Sequence, residues 1–257
     1  MSALRGRTAV VTGASQGVGK VIAARFAREG ARVVLAARSR ERLEETAAEI
    51  EAAGGSALVV PVDLRVAADV DRLVIEAGEV DTIVANSGIA GPTKELWDVD
   101  PEEWEETIGV NLTGTFLLCR GLLPAMVERG SGSVVVVGSS TGKRPLWGRT
   151  PYAASKLGLV GLVRTLALEL GPHGVRANLI SPGGVEGPRI EAVIHEQARA
   201  HGTSYEALYE EHLKTVPLRR LVTADQIANA AVFLASDASV AITGEDLNVS
   251  AGFVMHG

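Results

Sequence analysis

The chain alternates seven short, apolar, β-branched runs with longer amphipathic segments. This alternation predicts a series of βαβ units, which build a parallel sheet. The runs are continuously apolar, and such strands are covered by helices on both faces. The predicted fold is therefore α/β, with a doubly wound, mostly parallel seven-stranded sheet. The predicted strands are residues 8–12, 31–36, 56–62, 81–85, 132–138, 175–181 and 246–250.

Amphipathic segments between these strands predict the helices of a Rossmann-type fold. They are residues 17–29, 39–53, 67–77, 101–128, 151–171 and 223–236. Residues 186–216 lie outside the alternation, because this polar segment holds two short helical patterns around Gly202, and we expect it to cover a substrate. No repeat or low-complexity linker divides the sequence, and 46% hydrophobic content over 257 residues can bury one core. Residues 1–257 are predicted to form a single domain.

The charge and hydropathy of the chain restrict its partners. A formal net charge of −6 and a pI near 5.5 argue against nucleic acid and anionic membranes, because phosphate binding needs clustered positive charge. No apolar run reaches the roughly 18 residues of a membrane span, and MSALRGRTAVVTG has no signal-peptide core. We expect a cytoplasmic protein with a small-molecule partner. Cys119 is predicted to fill the core, and the five histidines lack a metal-binding spacing.

Polar or glycine residues follow six of the predicted strands. In a doubly wound sheet, ligands bind outside the carboxyl ends of the strands, where the strand order reverses. We therefore expect these residues to form one site. They are Thr12-Gly13, Arg38, Asp63, Asn86-Ser87-Gly88, Ser139-Ser140 and Ser181-Pro182-Gly183.

The segment TGASQGVG, residues 12–19, lies between the first predicted strand and helix. Its glycines let backbone N–H groups approach a pyrophosphate, and the helix N-terminus favours an anion. The spacing GxxxGxG is weak alone, since a tight turn also uses glycine, but its place in a βαβ unit favours a dinucleotide. The residues predicted to bind the phosphates are Gly13, Ser15, Gln16, Gly17, Val18 and Gly19.

The second and third strands end in residues that bear on the choice of dinucleotide. Arg38 follows the second strand where NAD enzymes carry an acid, and an arginine accommodates the 2′-phosphate of NADP. NADP(H) is thus favoured over NAD(H), although Arg38 could simply begin the next helix, and Gln16 supplies no second cation. Asp63 could accept a hydrogen bond from adenine or could cap the helix that follows.

Tyr152 and Lys156 are four residues apart at the start of a predicted helix, so both project from one face. An ammonium about 4 Å from a phenolate stabilises it by about 4 kcal/mol at an effective dielectric near 20. Tyr152 could then act as a general acid and base. Ser139, thirteen positions earlier, could donate to the same substrate oxygen. An exposed helical pair is the alternative, and the apolar surroundings of the motif disfavour it.

The sequence contains TGxxxGxG, a strand-ending NxG, a serine thirteen residues before YxxxK and a PG after the sixth strand. This combination resembles the short-chain dehydrogenase/reductase family over essentially the whole chain. The resemblance implies an oxidoreductase that interconverts a carbonyl and an alcohol. It implies Ser139, Tyr152 and Lys156 as the catalytic group, with Asn111 holding a water of the proton relay. Further cofactor contacts are implied for Val18, Arg38, Asp63, Leu64, Asn86, Gly88, Tyr152, Lys156, Pro182, Gly183 and Val185.

Two departures from the family pattern stand out. Ser87 replaces the usual alanine of NAG, a change that should be tolerated. The threonine that often follows the PG and binds the nicotinamide carboxamide is missing, because residues 184–189 read GVEGPR. That contact must be supplied by backbone or by another residue. Ser140 is the alternative to Ser139, but the spacing to Tyr152 favours Ser139.

The sequence says less about substrate contacts and self-association than about the cofactor. Trp147 and Arg189 are the predicted substrate-binding residues, Arg189 for an acidic group, although a solvated arginine is the simpler interpretation. The resemblance and the apolar surface of residues 151–171 predict a homotetramer or homodimer. A 3-oxoacyl-thioester reductase is an alternative that would want basic surface near Lys143 and Arg144. An NAD-dependent polyol or secondary-alcohol dehydrogenase and a catalytically idle dinucleotide sensor are the others.

Overall fold

The computed structural model describes residues 2–255 and places the seven predicted strands in one sheet. The strand order is β3-β2-β1-β4-β5-β6-β7, and every neighbouring pair is parallel. The predicted doubly wound, Rossmann-type α/β sheet is therefore confirmed. The strands are β1 (Thr8–Thr12), β2 (Arg32–Ala37), β3 (Ser56–Pro61), β4 (Thr82–Ala85), β5 (Gly132–Val137), β6 (Val175–Pro182) and β7 (Asp246–Val249).

Nine α-helices are present in the described part of the chain. They are α1 (Gly17–Arg28), α2 (Arg40–Ala52), α3 (Ala67–Ala77), α4 (Pro101–Ile108), α5 (Gly114–Arg129), α6 (Thr150–Leu170), α7 (Pro188–His201), α8 (Tyr205–Lys214) and α9 (Ala224–Ala235). Side chains fix some of their starts. Thr223 and Gln226 form a capping box before α9, and Asp100 and Glu103 form one before α4, where Pro101 takes the first helical position.

The sheet buries both faces, as its apolar strands require. Val10 on β1 points into a core formed with α3, α5 and α6, and its neighbour Val11 points into the opposite core formed with α1, α2 and α9. Cys119 on α5 is 2% exposed within the first of these cores. Burial raises the pKa of its thiol to about 12, so it stays an uncharged apolar side chain.

The predicted helix over residues 101–128 is interrupted. A π-helical turn at Gly109–Thr113 separates α4 from α5. Such turns widen a helix locally and are frequent at functional sites. The combined run Pro101–Arg129 is long and apolar enough to match a membrane span by length and composition. Leu118 and Met126 on its inner face are nevertheless fully buried against the sheet, as in the core helix of a globular fold.

Residues 186–216 form two helices, α7 and α8, joined through Gly202, which has a positive φ of 64° at the end of α7. Only Val193, Ile194 and Ala198 of α7 are buried, and no residue of α8 is. The two helices stand at the carboxyl end of β6. The strand order reverses between β1 and β4, which places the expected ligand crevice at the carboxyl ends of these strands.

Candidate active site

Hydrogen bonds join the carboxyl ends of β1 and β4 at the point where the strand order reverses. The Thr12 hydroxyl accepts from the backbone N–H groups of Asn86 and Ser87 at 3.0 and 3.1 Å. The Asn86 amide donates to the Thr12 carbonyl at 3.0 Å. The glycine loop and the NxG segment, which the sequence identified separately, therefore form one edge of a single crevice.

The glycine loop fits a dinucleotide phosphate. A Cβ on Gly19 would lie 2.3 Å from the Gly13 carbonyl oxygen and 2.4 Å from Asn86 Nδ2, so only glycine allows this close packing. Gly13 has a φ of +66°, which glycine adopts without strain. The Gln16 side chain does not cap α1, and the first turn of α1 holds no acid. The first N–H groups of α1 are thus left to an anion.

Two arginines follow β2, and one of them contacts the glycine loop. Arg38 is exposed directly after β2, where the sequence placed it. Arg42, on the first turn of α2, donates to Gln16 Oε1 at 2.8 Å. Sequence reasoning missed Arg42 because it considered only the residue that ends β2. The sequence did offer a signal for Arg42, because it stands four residues after Arg38, a spacing of about one helical turn.

Asp63 and Leu64 follow β3 at the same edge. The Asp63 carboxylate forms a 2.7 Å ion pair with the Arg65 guanidinium. Hydrogen bonding to Arg65, opposed by burial, holds the pKa of the Asp63 carboxyl below its usual value. Asp63 does not cap α3, whose first flanking residue is Val66, so the capping alternative is wrong. The Leu64 side chain is buried in the core.

Tyr152 and Lys156 occupy the first turns of α6, near the carboxyl end of β5. Lys156 is 4% exposed, and its ammonium donates to the Val137 carbonyl at 3.0 Å. The ammonium nitrogen lies 5.7 Å from the centre of the Tyr152 ring. Burial lowers the pKa of Lys156, although the phenol partly opposes this shift.

The phenol of Tyr152 is acidified by its neighbours. Burial alone raises its pKa, but the Lys156 ammonium, hydrogen bonding to Ser139 and the guanidinium groups of Arg189 and Arg149 outweigh burial. The net pKa therefore lies below that of an ordinary tyrosine. A phenol in this state can exchange a proton closer to neutral pH.

Asn111 lies inside the π-helical turn and is fully buried. Its Oδ1 accepts from the Ile89 N–H at 2.8 Å, and its Nδ2 donates to the Ile89 carbonyl at 3.1 Å and to the Ser155 hydroxyl at 3.0 Å. A Cβ on Gly88 would lie 3.2 Å from Asn111 Oδ1 and 3.4 Å from Lys156 Nζ. The bare Gly88 backbone thus brings the amide and the ammonium to one place.

Ser139 and Ser140 differ in their surroundings. Ser139 is partly exposed at the end of β5, and its hydroxyl accepts from the Thr141 N–H at 3.1 Å. Ser140 is 4% exposed and begins a short 3-10 turn. Ser139, unlike Ser140, contributes to lowering the pKa of the Tyr152 phenol, which favours Ser139 as the serine of the site.

The segment after β6 closes the other side of the crevice. The Gly183 N–H donates to the Val249 carbonyl at 3.0 Å, and Val185 forms an isolated parallel β-bridge with Val222. Pro182 is the last residue of β6 and is buried. The exposed Arg189, on the first turn of α7, donates to the Gly88 carbonyl at 2.5 Å. Its guanidinium spans the crevice from α7 to the loop after β4.

Trp147 lies at the rim. Its backbone carbonyl accepts from Gln197 on α7 at 3.3 Å, and its ring centre is 4.6 Å from that of His201. It borders an open cavity of about 640 Å³. The cavity is lined by Thr93, Lys94, Glu95, Asp98, Trp147, Ala200 and His201.

The Lys143–Arg144 pair, which a 3-oxoacyl-thioester reductase would want as basic surface, offers only the exposed Arg144. Lys143 forms a buried 3.0 Å ion pair with Asp246, and Arg144 stacks on the Phe253 ring at 4.2 Å. Arg149, which sequence reasoning left out, is buried beside Tyr152. Within residues 2–255, no cluster of His, Cys, Asp and Glu could hold a metal ion.

The chain is similar to known oxidoreductases over nearly its whole length. The family profile described as enoyl-(acyl carrier protein) reductase matches residues 13–254. An uncharacterized NAD-dependent oxidoreductase from Mycobacterium tuberculosis is 40% identical, over 97% of this chain and 96% of the relative. D-Threitol dehydrogenase from Mycolicibacterium smegmatis is 35% identical, over 98% and 94%. A variant of actinorhodin polyketide ketoreductase solved with NADPH superposes with a TM-score of 0.92 at 34% identity, over 98% and 99%.

Proposed function

We propose that this chain, which belongs to the short-chain dehydrogenase/reductase family of oxidoreductases, transfers hydride between NADP(H) and a ketone or secondary alcohol, with Tyr152 as the proton-transferring residue. The observation that carries the proposal is the convergence of four side chains at the crevice. Tyr152 and Lys156 lie on α6, Ser139 follows β5 and Asn111 lies in the π-helical turn. Asn111 and Lys156 meet beside Gly88, and Lys156 and Ser139 both act on the Tyr152 phenol.

The roles of the four residues follow from their contacts. NADPH, when bound, supplies the hydride to the carbonyl carbon, and NADP⁺ accepts it in the reverse direction. In reduction, the Tyr152 hydroxyl donates its proton to the carbonyl oxygen, and Ser139 donates a second hydrogen bond there. In oxidation, the Tyr152 phenolate accepts the alcohol proton. Lys156 stabilises that phenolate, and Asn111 stands beside Lys156 where a relay to solvent would begin.

A substrate panel tests the proposal and separates its alternatives. Ketones, diketones and 3-oxoacyl thioesters would be offered with NADPH, and polyols with NADP⁺ and NAD⁺, while NADPH or NADH absorbance is followed. We expect turnover of ketones. A strong preference for thioesters would favour an acyl-carrier or coenzyme A substrate, as the family profile's description suggests, although Lys143 is buried and Arg144 is stacked on Phe253. Tight NADPH binding without any turnover would favour a dinucleotide sensor.

Arg38 carries the preference for NADP(H). Its exposed guanidinium, with Arg42 near the glycine loop, could pair with a 2′-phosphate. We expect Arg38→Ala to weaken NADPH binding by about ten- to a hundredfold and NADH binding little, because a hydrogen bond to a charged group contributes about 1.5–3 kcal/mol. Fluorescence titration with each dinucleotide measures this. Arg40→Ala is the matched control, since exposed Arg40 pairs with Glu44. Equal losses for NADPH and NADH would remove the role of Arg38.

The helices α7 and α8 are proposed to close over the substrate. They bury few residues, and the Arg189 guanidinium already reaches the Gly88 carbonyl across the crevice. Segments with few buried contacts open at low free-energy cost, and closure would exclude water from the reacting atoms. Arg189 would pair with an acidic group of the substrate. Trp147, which α7 contacts through Gln197, would form an apolar wall at the rim.

A homodimer or homotetramer is proposed from apolar side chains on α4, α5 and α6. Trp104, Phe116 and Leu157 are 37%, 47% and 54% exposed. We expect Leu157→Glu to shift the protein to a smaller species in size-exclusion chromatography with light scattering, because a charge placed in an apolar interface is left unpaired. Ile75→Glu is the control, as exposed Ile75 lies on α3. A wild-type chain that is already monomeric would contradict this.

A further inference from the structure

Arg149 is a buried cation at the start of α6. The residue is only 4% exposed. Nη1 donates to the Thr93 hydroxyl at 3.0 Å, and Nη2 donates to the Ala90 carbonyl at 2.8 Å. Both acceptors are uncharged and belong to the loop after β4. The guanidinium is therefore fixed in place by neutral partners.

The carboxylate that usually accompanies a buried arginine is not in contact with Arg149 in the described part of the chain. Burial is the main cause that lowers the pKa of Arg149, and among residues 2–255 the one carboxylate that opposes this shift is Glu196, which acts through charge alone and less than the Tyr152 phenol does. A buried charge without a counter-charge is unfavourable. The Tyr152 ring centre, in contrast, lies 5.0 Å from the guanidinium carbon. An ionised Tyr152 would supply the missing negative charge.

We propose that Arg149 is a positioning residue for proton transfer, a second built-in cation that stabilises the phenolate form of Tyr152 and ties it to the loop after β4. The inference rests on the proposed function, since it acts through the proton-transferring phenol. It adds a residue that the YxxxK motif does not contain.

The other groups that face the phenol do not replace Arg149. Lys156 lies on α6, Ser139 follows β5 by two residues, and Arg189 approaches from α7. Arg189 is exposed, and its guanidinium would move with α7 when the site opens. Arg149 and Lys156 are both 4% exposed and anchored to backbone carbonyls, so they act on the phenol whether the site is open or closed.

The proposal has a defined pH signature. Alcohol oxidation needs the phenolate, so its rate falls as the pH drops below the pKa of Tyr152. The guanidinium of Arg149 is one of the groups that lower this pKa. Removing the charge should raise the pKa, so oxidation should be lost at a higher pH than in the wild type. Reduction, which needs the protonated phenol, should persist to a higher pH.

The test is the pH dependence of kcat/KM for oxidation of an alcohol that the substrate panel identifies. We expect Arg149→Gln to move the acid limb to higher pH, and by less than removal of the Lys156 charge would, because Lys156 is the largest of the groups that lower the pKa of Tyr152. Arg149→Lys keeps the charge and should restore most of the wild-type profile. Arg144→Gln is the matched control, because Arg144 stacks on Phe253 rather than on Tyr152. Ultraviolet titration of the phenol, taken as wild type minus Tyr152→Phe, gives a readout independent of turnover.

Several results would overturn the proposal. An Arg149→Gln variant that folds, binds NADPH and keeps the wild-type acid limb would do so, and so would an equal shift in Arg144→Gln. If Arg149→Gln does not fold, Thr93→Val is the variant that tests the proposal. It removes the hydroxyl that accepts from Arg149 Nη1 but keeps the charge of Arg149. A smaller upward shift is then expected, and an unchanged limb refutes the role. Turnover retained by Tyr152→Phe would instead refute the proposed function itself.

Discussion

Replacing Tyr152 by phenylalanine is expected to lower kcat by about 10²–10⁴-fold, the usual contribution of a positioned general acid or base. The ring keeps its place between Arg149 and Lys156, so the fold and the cofactor crevice should be preserved. Only the proton-carrying oxygen is removed. The measurement is the rate of NADPH oxidation with a ketone identified by the substrate panel, beside fluorescence titration of NADPH with the same variant.

The neighbouring serines provide a matched pair for this experiment. Ser139→Ala removes the second hydrogen-bond donor to the substrate oxygen, and one such donor is worth about 10²–10³ in kcat. Ser140→Ala removes a hydroxyl of the same size one residue away, from a buried position. We expect Ser140→Ala to retain turnover. Tyr152→Phe with near wild-type turnover, or a larger loss in Ser140→Ala than in Ser139→Ala, would contradict the assignment.

The sheet could be predicted from the sequence because the pattern that indicates each strand lies within a few consecutive residues and recurs along the chain. The first five strands are short, mostly apolar and β-branched runs, and polar residues or glycines follow them. The polar residues that follow these runs also had to meet, since parallel strands end at one edge. Ser139, Asn86 and Gly13 could therefore be assigned to one crevice from the sequence.

Features that depend on tertiary contacts were not predictable. The π-helical turn around Asn111 lies in a sequence, GVNLT, that would suit an ordinary helix. Its extra width accompanies hydrogen bonds that Asn111 donates to the Ile89 carbonyl and the Ser155 hydroxyl, which are distant in the chain. Arg149 was unremarkable in sequence for the same reason. Its neutral acceptors, Ala90 and Thr93, are more than fifty residues away.

Lys143 shows how a charged residue can be misassigned. Its position near Ser139 made it, together with Arg144, the only nearby pair that could offer basic surface to an acyl-carrier or coenzyme A substrate. The structure buries it instead, with side-chain exposures of 9% for Lys143 and 3% for Asp246. Asp246 lies on β7, about a hundred residues later, and no local pattern pairs the two. The pair joins the loop after Ser139 to the edge of the sheet.

Removing one partner of this pair is expected to be strongly destabilising. Lys143 also donates to Asn248, and Asp246 accepts from the Ser181 hydroxyl at 2.6 Å, while its second oxygen has no hydrogen-bond partner among the residues that the structure describes. In Lys143→Met the Asp246 carboxylate would stay buried without its cation, which costs about 3–5 kcal/mol. At about 2–4 °C per kcal/mol for a chain of this size, Tm should fall by roughly 6–20 °C.

The double variant Lys143→Met with Asp246→Leu separates the pair's own contribution from the penalty of breaking it. Apolar replacement of both partners of a buried ion pair is often neutral or stabilising, so the double variant should recover most of the lost stability. Lys94→Met serves as the control in thermal unfolding, because Lys94 is more exposed and pairs with Asp100 and Glu103 at the surface, where ion pairs contribute little. If Lys143→Met unfolds no earlier than Lys94→Met, the charge of Asp246 must be compensated by another group, and the loop after Ser139 would not depend on this pair for its position.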